Sequence, residues 1–129
     1  MKHTRSLISR LLLTASAALL ASGGVAHGLA YAKASTIAEH STLPRFFTAA
    51  FKGLWLSDAL SSMVLALILG AIALRPAVAT RPLIMLIAAS PIAGAVAIFW
   101  TMGNFYAGHL LLLSGTAALL GAMLNENAG

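Results

Sequence analysis

The sequence predicts an all-α membrane protein with four transmembrane helices in an up-down bundle. Three observations carry that expectation. Only eleven of 129 residues are formally charged, and 60% are hydrophobic, against about 25% charged and 45–50% apolar in a soluble domain. A run of 44 residues from Pro82 to Asn125 contains no charge at all. It is too long for one span and suited to two, with Gly103 and Asn104 supplying a turn between them. The remaining charges fall between two further apolar runs, so the whole chain, 1–129, reads as a single four-helix domain with spans at about 11–32, 53–74, 82–102 and 105–124.

The first span follows a short basic start, MKHTRSLISR, and runs from Leu11 to Ala32 without a formal charge. Ala30-Tyr31-Ala32 before Lys33 has the small-x-small form of a signal-peptidase site, but the apolar run exceeds the usual 7–15 residues of a signal core. Its length favours a retained helix; cleavage is the alternative. The segment 33–52 is mixed in polarity. Pro44 disfavours helical geometry at Leu43 and should end any helix arriving there. Phe46, Phe47 and Phe51 then accompany Arg45 and Lys52, the composition of a short amphipathic helix at headgroup level or of an ordinary loop.

Gly53–Leu74 forms the second span, interrupted only by Asp58. In the connection RPAVATR, Pro76 closes one helix and Pro82 opens the next at its first turn. The third span carries Pro91 near its centre, where a proline removes a backbone hydrogen bond and is expected to kink the helix. Asn104 is the expected cap of the fourth. Small residues four apart (Ala89, Ala93 and Ala97; Ser90 and Gly94; Ala117 and Gly121) suggest close packing of the third and fourth helices into a tight hairpin.

Arg and Lys number three before the first span and two between the second and third, against three between the first and second. The positive-inside rule therefore places both termini in the cytoplasm of a multi-pass cell-membrane protein. The net charge of +5 is spread over loops and termini with no basic stripe, which suits lipid headgroups and argues against nucleic acid. The chain has no cysteine, which excludes disulfides, CxxC redox chemistry and thiolate metal sites.

This topology brings His27, Trp55, Asp58, Trp100, Asn104, Tyr106 and His109 to a similar depth near one membrane face, with His40 in the adjoining loop. Asp58 is the most informative of these, because a carboxylate inside a span is costly and usually faces protein or water. It could orient a histidine, carry a proton or bind a cation; in the plainer interpretation it snorkels to the headgroups or pairs with Lys52 or a histidine. His27, Asp58 and His109 form a candidate metal set, and two imidazoles could hold haem, although no local ligand spacing such as HxxxH is present. Trp55, Trp100, Tyr31 and Tyr106 suit a stacked ligand or an interfacial aromatic belt.

Three functions follow. A small accessory or ligand-binding membrane protein, with a membrane-protein partner or a second copy of the chain, demands least of the sequence. The alternatives are a proton-coupled small-molecule transporter subunit and a metal- or haem-binding component of a membrane enzyme. No nucleophile elbow, HExxH site or phosphate loop is present.

Overall fold

The computed structural model describes residues 2–125, and four helices make up nearly all of them. They are α1 (Lys2–Glu39), α2 (Arg45–Leu74), α3 (Arg81–Met102) and α4 (Tyr106–Leu124), with a single 3-10 turn at Pro76–Val78. Each is long and apolar enough to cross a membrane, and together they form a transmembrane four-helix bundle. The end of the chain beyond Asn125 lies outside the described residues.

The bundle is held along three seams. α1 packs on α2, α1 on α4, and α3 on α4, whereas α2 and α3 barely meet. The spatial order is therefore α2–α1–α4–α3, with α2 and α3 at the two edges. Lipid tails are as apolar as the side chains, so these seams depend on close backbone approach and interhelical hydrogen bonds instead of water exclusion. Along α1 the buried residues Ser9, Leu13, Ser16, Leu20 and Gly24 lie three or four apart, with Ala17 beside them. That spacing makes one stripe along a helix. The stripe meets Ala66, Leu69, Ile72 and Ala73 of α2 and Ala118 and Ala122 of α4, and Ile84 and Ala88 of α3 complete the core. Apart from Leu20 and Gly24, these residues lie in the half of the bundle nearest the termini.

Two serines lock the α1–α4 seam. Ser16 and Ser114 are fully buried. The Ser16 hydroxyl donates to the Ser114 carbonyl at 2.8 Å, the two hydroxyls stand 2.9 Å apart, and the Ser114 hydroxyl donates to the Ser16 carbonyl at 3.2 Å. Two turns nearer the termini, the Ser9 hydroxyl donates to Gly121 O at 2.7 Å. At the same end Arg10 donates to the carbonyls of Ala73 and Leu74, the last residues of α2. Those carbonyls have no partner within the helix, and a cation there also complements the helix dipole.

The segment 33–52 departs from expectation. It contains neither a loop of that length nor a separate amphipathic helix, because α1 continues to Glu39 and α2 already begins at Arg45. Only 40–44 form the turn, and Pro44 precedes α2 as its N-cap residue with φ −55° and ψ 145°, the extended geometry a proline favours before a helix. The helix also passes without a break through Ala30-Tyr31-Ala32. At the other connection Pro82 lies in the first turn of α3, as expected, and α3 runs on through a buried Pro91.

Asn104 does not cap α4. Phe105 occupies that position, with no side-chain capping bond, because Gly103 turns the chain with φ +70° and the Asn104 carboxamide is engaged by His109. α3 and α4 do form a close hairpin, but not through Ala89, Ala93 and Ala97, which are exposed. Instead α3 buries Ile84, Ala88, Pro91 and Ala95. A Cβ on Gly115 of α4 would stand 3.0 Å from the Ala88 carbonyl oxygen, and one on Gly121 would meet Leu13 of α1. Gly121 thus serves the α1 seam, not the α3 seam.

Candidate functional site

His27, Trp55 and Asp58 come together where α1 crosses α2. The approach is set by Gly24, one turn before His27, where an added Cβ would stand 3.0 Å from the Ala59 carbonyl oxygen. The His27 and Trp55 rings stack with centroids 4.2 Å apart and planes 13° from parallel. The Trp55 indole N–H donates to the His27 carbonyl at 2.8 Å, so the indole is held from two directions. Asp58 lies one helical turn beyond Trp55, and its Oδ2 is 3.6 Å from His27 Nε2. Phe51, one turn before Trp55, tilts against the same indole at 5.3 Å. The side chains of His27 and Asp58 remain 31% and 65% exposed, so the pair opens sideways instead of lining an enclosed path. Such a pair can exchange a proton or present a carboxylate and an imidazole to a polar group.

His109 belongs to a second cluster on the other hairpin. Its Nε2 meets the Asn104 side-chain oxygen, and its ring stands edge-on to Phe99 at 5.0 Å. Phe99 is itself packed over Gly108, where any added Cβ would overlap the ring. Trp100 and Tyr106 point outward, 89% and 66% exposed, in the manner of an aromatic belt. Tyr106 touches only the neighbouring Phe105 among its ring contacts. His40 bonds back to Thr36 of its own helix and leaves the cluster uncovered. Among the described residues, no three His, Asp or Glu side chains converge as a metal site would require.

The two clusters stay apart because the α1–α4 bonds at Ser9–Gly121 and Ser16–Ser114 lie toward the termini. Farther along, His27 is tied to α2 and His109 to its own hairpin. Beyond that level α1 and α2 continue together, and Lys52 forms an ion pair with Glu39. This pair lies outside the apolar spans, and the hydrogen bond and charge of Lys52 hold the Glu39 carboxyl below its ordinary range.

A further polar feature was not anticipated as a site. Ser57, Ser61, Leu60, Val64 and Leu65 of α2 face Ser90 of α3 across a groove of about 410 Å³. Several helical hydroxyls bond back to a carbonyl three or four residues earlier, as at Thr14, Ser22, Thr36 and Thr101, while others such as Ser62 and Thr116 do not. The three groove serines make no such bond among the described residues. The sequence signal was present in Ser57 and Ser61, which share a helix face four apart, but their opposition to Ser90 required the helices to be placed. No protein-family model, curated protein or solved structure matches the chain.

Proposed function

We propose that this chain is an accessory membrane protein that receives a transmembrane helix of a partner protein in the α2–α3 groove. The observation that carries this reading is the groove itself. The two edge helices leave a gap lined by Ser57, Ser61 and Ser90, whose hydroxyls make no hydrogen bond among the described residues. Within a bilayer an unpaired hydroxyl gains from a hydrogen bond across a helix interface, worth roughly 0.6–2 kcal/mol. A helix with small or polar side chains would fill the gap and satisfy these groups together. The accumulation of Arg10, Arg75 and Arg81 near the end of the bundle that holds both termini supports a cytoplasmic position for that end.

A photo-crosslinking residue at Leu60 or Val64 in native membranes should yield an adduct with one discrete protein. The same probe at Leu113, 60% exposed on α4, should capture lipid alone. Lipid adducts at all three positions would remove the reading. A second reading, proton-coupled transport, is favoured by the His27–Asp58 pair beside Ser57. It requires pH-driven substrate uptake in proteoliposomes that Asp58→Asn abolishes. The metal-binding reading requires His109 to leave Asn104 and approach His27, and elemental analysis of purified protein tests it directly.

A further inference from the structure

The two hairpins differ in height. α3 and α4 have 22 and 19 residues, about 33 and 28 Å at 1.5 Å per residue, close to the roughly 30 Å of a hydrocarbon core. α1 has 38 residues and α2 has 30. At the end holding the termini, the Ser9–Gly121 and Arg10–Ala73 bonds align the helices. The surplus therefore emerges at the opposite end. From Arg10 to His27 is about 26 Å along the axis, so residues 28–39 and 45–54 extend roughly 15–18 Å past the level marked by His27, Trp55 and the α3–α4 turn.

This projecting tip is unusually apolar for a region beyond the hydrocarbon. Ala34, Ile37 and Ala38 of α1, Leu43 of the turn, and Phe51 and Trp55 of α2 line a recess of about 310 Å³. Ser41 also lines it, but its hydroxyl donates to the Ala38 carbonyl at 2.7 Å and offers the recess little polarity. The size is at the lower end of small-ligand pockets. Cations adjoin the lining on every segment: Lys33 precedes Ala34, Arg45 follows Leu43-Pro44, and Lys52 follows Phe51. Glu39 is the lone carboxylate of the tip, and Lys52 is paired with it. Lys33 and Arg45 are exposed, so the tip that holds the recess keeps an excess of positive charge.

We infer that the tip of the α1–α2 hairpin is a binding site for a single-chain anionic amphiphile of the fatty-acid type. Its hydrocarbon chain lies in the recess against Phe51 and Trp55, and its carboxylate meets the adjoining cations Lys33 and Arg45. A neutral chain would gain only the apolar contact, and a small inorganic anion only the charge. The combination of an apolar recess with exposed cations beside it selects a ligand having both parts. This inference stands apart from the α2–α3 groove and does not depend on what occupies it.

The chain has two tryptophans, and only Trp55 lines the recess. The Trp100→Phe variant therefore isolates the reporting ring. Reconstituted in neutral phosphatidylcholine nanodiscs at a pH where the acid is ionised, it is titrated with bromine-labelled stearic acid, whose bromine quenches indole fluorescence on contact. Saturable quenching is expected. The corresponding uncharged methyl ester should need several-fold more ligand, since each adjoining cation contributes about fivefold at a membrane surface. Ala34→Phe, which occupies the recess, should remove the saturable component, and Lys33→Gln with Arg45→Gln should make acid and ester equivalent while leaving the recess intact. Quenching that rises linearly with bromine content, equally for acid and ester and unaltered by these changes, would show collision with bulk lipid and overturn the proposal.

Discussion

Replacing Gly115 by alanine should destabilise the bundle, although alanine is the better helix former. The added Cβ would stand 2.5 Å from Ile92 Cγ1, 3.0 Å from the Ala88 carbonyl oxygen and 3.2 Å from the Ile92 backbone nitrogen. The Ile92 side chain could rotate away, but the two backbone atoms can retreat only if α3 and α4 separate. Overpacking of this kind costs about 1–3 kcal/mol. The gain in helix propensity on replacing glycine is at most about 1 kcal/mol. The expected balance is a net loss of up to about 2 kcal/mol. Gly28 and Gly53 provide the internal control, since a Cβ at either meets nothing within 4 Å, and alanine there should be neutral or stabilising by up to about 1 kcal/mol. Reversible unfolding in mixed lipid–detergent micelles, titrated with a denaturing detergent and followed by circular dichroism, measures all three variants. The opposite signs are the test. A Gly115→Ala protein as stable as Gly28→Ala would refute the close approach of α3 to α4 at this point.

Three further outcomes follow from the same structure. In a double-mutant cycle, Ser16→Ala and Ser114→Ala should show a coupling of roughly 0.6–1.7 kcal/mol, because the two hydroxyls stand 2.9 Å apart and each can donate its one proton to the other or to the opposing carbonyl; strictly additive losses would mean the clasp does not form. Replacing Arg10 by glutamine removes a charged donor from the Ala73 and Leu74 carbonyls and should raise amide hydrogen exchange in the last turn of α2 before it alters exchange near Leu69. The mature protein should begin ahead of Leu13, as read by N-terminal sequencing, because Leu13, Ser16 and Leu20 are core residues; a start at Lys33 would leave α2 and α4 without the helix between them.

The candidate site illustrates what a one-dimensional reading can and cannot reach. His27, Trp55 and Asp58 could be assigned to one depth because span length and alternation of direction determine height, and the structure brings the three into contact. His109 shared the depth but not the neighbourhood. Depth is one coordinate, and position around the bundle depends on which helices are adjacent. The buried serines escaped notice for a related reason. Ser16 and Ser114 sit in apolar runs with nothing local to distinguish them from Ser22, which bonds to its own helix.

By itself the sequence determined that this protein crosses a membrane four times, where the last two spans turn, and that Asp58 alone interrupts the second apolar run. Those properties follow from transfer free energies and from the length of a helix that bridges a bilayer, both additive along the chain. Only the tertiary structure decided that α1 and α4 form the centre and that α2 and α3 stand apart with serines between them. It alone showed that α1 and α2 rise past their neighbours as an apolar tip. In lipid no hydrophobic gradient selects one helix face over another. The choice falls to shape at a few glycines and to hydroxyl–carbonyl pairs such as Ser16–Ser114, which exist only once the helices have met.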